Sequence, residues 1–311
     1  MDPPKKLRKG GKRRCNFDNL FNNELPRTAN VIDSNSMLHD LPTTTKEHMK
    51  EYIINRSPGS SEISDILFHI ANIQPKQLRT KEICETIESI TLIGAKINAL
   101  LASNPKRMEN MTIYDLACGH GLAGILLAYR FPNVNVICID RERRPCWSTY
   151  IDAFEKYGEK AKGNDLVLSN LKFQVGDIMK PTATSPFQPK KDDYLICIHG
   201  CNELSPFVLQ TSIKYQCGYA IMPCCLRENM LGVNTSSSNH NWSMDDTSRY
   251  ATQVGYLAGI YGCEKIMSIS RYITNRFLII IGDWSSSTAE EEEAITNRTL
   301  TIETKVKKQK I

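Results

Sequence analysis

Three aspartates in this 311-residue chain carry the first chemical signal: Asp115 in "YDLACGHG", Asp140 closing "VICID" and Asp177 in "FQVGDI". Between the first two, Gly119-x-Gly121-x-x-Gly124 leads into an apolar run. Glycines so placed open backbone torsions closed to other residues, and the N-terminus of a following helix presents N–H groups to a ligand. The glycine spacing alone would suit a dinucleotide. An acid ahead of the first glycine, where a dinucleotide site has an apolar residue, can instead accept from an ammonium. The acid ending the next strand can take both hydroxyls of a ribose, and the third can take an adenine amino group, with Ile178 as an apolar wall. Each aspartate singly also reads as a helix N-cap. One acid at each of three successive strand ends discriminates, and it points to S-adenosylmethionine over nicotinamide or flavin. Cofactor contacts are assigned to Asp115, Ala117, Cys118, Gly119, Gly121, Asp140, Arg141, Asp177 and Ile178.

Elements must bring these residues together. Strands are predicted over 112–118, 133–140, 171–178, 193–200, 218–225, 264–273 and 276–284, with helices at 121–130, 142–157, 205–215 and 246–261 between most of them. This alternation predicts a mostly parallel sheet covered on both faces, its last two strands forming an antiparallel hairpin. Ahead of it, "TTTKEHMKEYIINR" (43–56) reads as a helix with a Thr cap, followed by helices over 61–74 and 80–104. In the last of these, Ile83, Ile87, Ile90, Ile93, Ile97 and Leu100/Leu101 make one apolar stripe.

Residues 112–200 resemble the Class I S-adenosylmethionine-dependent methyltransferases, with "DLACGHG", "ICID" and "VGDI" as their successive motifs. The resemblance implies an α/β fold, a doubly wound, Rossmann-like sheet of seven strands, mostly parallel, with the seventh antiparallel.

The fourth predicted strand ends in "ICIHGCNELS", not in the Asn/Asp-Pro-Pro-aromatic motif of exocyclic amino methyltransferases, and the fifth ends in "IMPCC". Both ends share the carboxyl edge of a parallel sheet, so His199, Cys201, Asn202, Cys224 and Cys225 should approach the reacting end of the cofactor. The pairs His-x-Cys and Cys-Cys resemble a eukaryotic subfamily. It contains the methyltransferase portion of the glutathione S-transferase C-terminal domain-containing proteins and tRNA 2′-O-ribose methyltransferases. Asn202 stands where that pattern has Gly, and "CCLR" lacks its following histidines. Three readings of the thiols stay open: walls of the reacting pocket, core packing, or, with Cys197 and His199, ligands of a metal. Catalytic positions are assigned to His199 as candidate base and to Cys201, Asn202 and Cys224; no metal is assigned.

Charge is concentrated at one end. Residues 1–14 carry seven Lys or Arg against Asp2, a local balance of +6 beside +5 for the chain. Such a block cannot bury itself; it fits attraction to a polyanion, a nuclear-import signal or a solvated tail. No apolar run is long enough to span a membrane, no apolar segment follows the basic block as in a secretory signal, and the eleven cysteines sit mostly in apolar segments, as in a reducing compartment. The expected organisation is a disordered basic arm (1–44), a helical extension (45–105), the methyltransferase domain (106–285) and a flexible tail (286–311). The expected activity is methyl transfer to RNA, tRNA being a candidate, with the arm as RNA contact, in nucleus or cytoplasm, without membrane or DNA as partner. Protein or small-molecule methylation, or a non-catalytic scaffold, are the alternatives.

Overall fold

A computed structural model describes residues 35–57, 61–162, 167–180, 187–226, 246–271 and 273–285. The β-branched and apolar runs form seven strands: β1 (Thr112–Leu116), β2 (Asn135–Asp140), β3 (Leu171–Val175), β4 (Tyr194–Ile198), β5 (Gly218–Met222), β6 (Lys265–Ser268) and β7 (Leu278–Asp283). They make one sheet in the order β3-β2-β1-β4-β5-β7-β6. β1 to β5 run parallel, and β7 is antiparallel to both β5 and β6. Leu116 lies opposite Ile139, Asp140 opposite Val175 and Ile198 opposite Met222, so the ends of the parallel strands share one edge. The order reverses between β1 and β4, which opens a crevice beyond their carboxyl ends.

Most strands stop short of their predicted limits. Ala117 (φ 54°) and His199 (φ 64°) turn left-handed where β1 and β4 were expected to continue. Apolar character persists past the sheet edge because the loops there are also packed.

The helices are α1 (Thr43–Arg56), α2 (Glu62–Ile73), α3 (Thr80–Ser103), the short α4 (Arg107–Asn110), α5 (Leu122–Arg130), α6 (Cys146–Lys162), α7 (Leu204–Tyr215) and α8 (Asp246–Tyr261). The expected Thr cap of α1 is absent: Pro42 holds that position, with no side-chain capping bond. In α3 the predicted stripe is buried at Ile83, Ile87, Ile90, Ile93, Ile97 and Leu101, each burial stabilising the fold by roughly 1.5–3 kcal/mol. The helix packs on α1, α5 and β7, and Ser89 Oγ lies 3.4 Å from Met222 Sδ at the end of β5. Helices and sheet share one core running from Leu38 to Trp284.

Residues 35–42, placed by sequence in the arm, dock on this core. Met37 bridges Arg79, the Thr80 N–H donates to Ser36 O (2.9 Å), and Leu38 is fully buried. Their apolar side chains were too few to register as a periodic pattern. Residues 1–34, with the basic block, and 286–311 lie outside the described residues. Among the described residues no helix is long and apolar enough to cross a membrane.

Candidate active site

The glycine turn is built from left-handed residues: Ala117, Gly119 (φ 58°) and Gly121 (φ 77°). A Cβ on Gly121 would also enter the Trp147 ring, whereas one on Gly119 would meet only open space. The turn is fixed by the acids the sequence singled out. Asp140 Oδ2 accepts from the Gly119 N–H (2.8 Å) and Oδ1 from the Arg141 N–H (2.7 Å). Asp115 Oδ2 accepts from the Gly124 N–H (2.9 Å), fastening β1 to the first turn of α5. Asp177 Oδ1 accepts from the Met179 N–H (3.0 Å), and its Oδ2 lies 3.3 Å from Arg141 Nη2. Each carboxylate keeps acceptor capacity beyond these bonds.

Two cavities meet at Ala117. One, about 510 Å³, is lined by Asp140, Arg141, Asp177, Ile178, Met179, Cys201 and Leu204. The other, about 400 Å³, is lined by Asp115, Cys118, Gly119, His120 and His199, and by Arg79, Lys81, Glu85 and Thr86 of the N-terminal helical region. Both volumes fall within the roughly 300–1,000 Å³ of small-ligand sites. The larger offers two carboxylates and an apolar slot of Ile178, Met179 and Leu204, which fits a ribose and a base. The smaller offers an acid and the open face of Gly119, which fits an amino-acid moiety. These residues therefore suit S-adenosylmethionine at Asp140, Asp177 and Ile178 for the nucleoside and at Asp115 and Gly119 for the amino acid. When bound, that cofactor supplies a methyl group activated on a sulfonium.

Asp115 is buried and its carboxyl is pushed up to about 7. Burial is the main cause; the Gly124 N–H opposes it, the Asp140 charge adds to it and the Cys138 thiol opposes it. The fold thus holds this proton more tightly than the unfolded chain, whose carboxyl titrates near 3.8. Stability from this group is complete below about 3.8 and is lost as pH rises through about 7. A cation in the cavity prefers the ionised acid, so cofactor affinity should fall, and binding should release a proton, as pH is lowered through that value. Calorimetry in buffers of different ionisation heat should show this release, and Asp115→Asn should abolish it; equal release by the variant would assign the proton elsewhere.

The opposite wall departs further from expectation. His199 lines the smaller cavity, while Cys201 lines the larger one beside the adenine-side residues. Asn202 and Cys224 line neither. Asn202, left-handed at φ 49°, donates its N–H to Cys225 O (2.6 Å) and clamps the two strand-end loops together. Cys201 and Cys224, read as free thiols from sequence, form a disulfide. Cys225 lies close to both sulfurs, within 4.8 Å. With two of the three sulfurs bonded to each other, only Cys225 remains as a thiol ligand. Cys197 is buried in β4 and its thiol is pushed far above the ordinary range by burial.

Sequence reasoning missed the contribution of α3. Glu85 is only 2% exposed, yet its Oε2 lies 3.4 Å from His199 Nε2 and its Oε1 3.4 Å from Lys81 Nζ. Nothing in the periodicity marks Glu85, because what buries it is the edge of a sheet formed by distant residues.

Residues 79–231 match the family model described as a methyltransferase domain, a match that begins one residue before α3. No curated protein matches the chain. Among solved structures, the chain is similar to magnesium protoporphyrin IX methyltransferase of Synechocystis PCC 6803 with bound SAH, at 11% identity over 75% of this chain and 99% of that one, TM-score 0.36. An O-methyltransferase family protein of Burkholderia thailandensis aligns at 12% identity over 78% and 73% of the two chains, TM-score 0.35. A chain of the fibrillarin/Nop5p complex aligns at 13% identity over 56% and 72%, TM-score 0.35. At these scores the likenesses add no weight to the family match and the strand order. With the strand order, the glycine turn and the family match in agreement, the chain carries a Class I S-adenosylmethionine-dependent methyltransferase domain.

Proposed function

We propose that the protein transfers the methyl group of S-adenosylmethionine to RNA, with tRNA as a candidate, in the nucleus or cytoplasm. The observation that carries the substrate class is the basic block of residues 1–14, with its local balance of +6. Tethered to a methyltransferase domain, it raises encounter with phosphate, a sequence-independent and salt-sensitive attraction. The resemblance of the His-x-Cys and Cys-Cys pairs to the subfamily containing tRNA methyltransferases supports the same class. In this reading the nucleoside is held at Asp140 and Asp177, and His199 at the other cavity accepts the proton the acceptor loses.

Methyl-labelled cofactor, offered with total RNA, protein extract or metabolites, tests the proposal by where the label appears. The full chain should label RNA. A variant lacking residues 1–14 should keep its cofactor affinity but bind RNA more weakly, the log–log salt slope falling by up to about 5. Label confined to protein or to metabolites would refute the RNA reading, and no label in any fraction would favour a scaffold. Unchanged RNA binding by the truncated protein would make the block a targeting signal.

A further inference from the structure

A carboxylate removed from water costs several kcal/mol unless something compensates it, so the buried Glu85 on α3 calls for a partner, as Glu88 on the same helix has in Tyr52 and Arg56. Glu85 has two, Lys81 Nζ and His199 Nε2, each at 3.4 Å, and Oε1 takes no hydrogen bond. All three residues line the smaller cavity. His199 is itself held in the left-handed region: its φ is 64°, the Cys224 sulfur lies 3.4 Å from its carbonyl oxygen, and the next residue's N–H donates to Met222 O (3.1 Å). The backbone at the end of β4 is thus fixed, and the ring is directed at a carboxylate brought from another part of the chain.

We infer that Glu85 is the positioning residue for His199: it accepts the Nε2–H of the imidazole and leaves Nδ1 as the atom that takes a proton from the methyl acceptor. As the acceptor–hydrogen bond breaks, the proton joins the Nδ1 lone pair, the acceptor keeps the bonding electrons, and Glu85 offsets the imidazolium charge. The inference rests on the proposed role of His199 as base, but its first test does not.

That test is the imidazole N–H of His199, followed by proton NMR on 15N-histidine-labelled protein. The chain has six histidines, and the signal is identified by its loss in His199→Ala. A downfield, exchange-protected Nε2–H should appear in the unsubstituted protein, vanish in Glu85→Met, which keeps the side-chain volume, and return at least partly in Glu85→Asp. Thermal melting of each variant establishes that it is folded. Absence of the signal in the unsubstituted protein, or its survival in folded Glu85→Met, overturns the inference.

Turnover supplies the second test. Glu85→Met should lower kcat about tenfold and leave KM for the cofactor within a factor of two, but should add nothing in a His199→Ala background. An equal loss in that background would mean that Glu85 acts independently of His199, and would also overturn the inference. Full turnover by His199→Ala would remove the base and leave the N–H result standing, so the two failures can be told apart.

Discussion

Replacing Asp140 with Ala is expected to weaken S-adenosylmethionine binding by at least about 10²-fold. Hydrogen bonds to a charged group contribute roughly 1.5–3 kcal/mol each, and a ribose offers two donors to this carboxylate. At about 1.4 kcal/mol per factor of ten, losing both accounts for that factor or more. The substitution also removes the acceptor of the Gly119 N–H, now held at 2.8 Å, and so frees the turn that shapes the second cavity. Asp140→Asn retains one side-chain acceptor and should fall between. Calorimetric titration with the cofactor and its demethylated product measures the loss, and NAD should give no binding to either protein. Affinity unchanged in Asp140→Ala would place the ribose elsewhere.

Arg107→Ala is expected to be the most destabilising single substitution among those considered. Arg107 is 4% exposed, donates to both oxygens of Asp283 (2.9 and 3.0 Å), and reaches Asp192 O at 2.8 Å. It thereby ties the segment before β1 to the end of β7, the central strand to the antiparallel one. Deleting it strands a carboxylate away from water, which costs about 3–5 kcal/mol and should lower the melting temperature by roughly 10 °C. Burial alone would raise the Asp283 carboxyl, but the hydrogen bonds and charge of Arg107, together with hydrogen bonds from Ser285, more than offset it, leaving it below its ordinary value. Its stabilisation is therefore present above the ordinary carboxyl range and lost as pH falls through the lowered one. In Arg107→Ala that acid-side loss should shrink in the stability profile, and adding Asp283→Ala should recover much of the melting temperature. Melting within a degree or two of the unsubstituted protein would show that water reaches Asp283.

Some of this was legible without coordinates because its causes are local. The strands came out near their predicted places because alternation and β-branching act within a few residues, and the parallel order followed from helices long enough to cross between strands. Asp115, Asp140 and Asp177 could be placed at one edge because a parallel sheet sets consecutive strand ends side by side. The apolar stripe of α3 showed its period of three and four, so its buried isoleucines were predictable.

What escaped the sequence depends on contacts between segments far apart in the chain. Leu38 was assigned to the arm because a few apolar residues have no period, and only the body of the fold gives them a surface to cover. Glu85 sits two residues from Ile83 and reads as the solvent side of a helix; it is buried because the crevice at the end of β4 covers that side too. The cysteines could be brought to one edge by topology, but which sulfurs bond is a matter of ångströms: Cys201 and Cys224 have Cα atoms 5.5 Å apart and are bonded, while Cys225, next in the chain and also within 4.8 Å of both sulfurs, is exposed and stays a free thiol. The sequence alone marked the alternation of strands and helices and the three acids at successive strand ends, since each follows from spacing along the chain. Only the tertiary structure decided that Glu85 of α3 meets His199 at the end of β4 across the smaller cavity, because no pattern within one segment records which distant side chain will meet it.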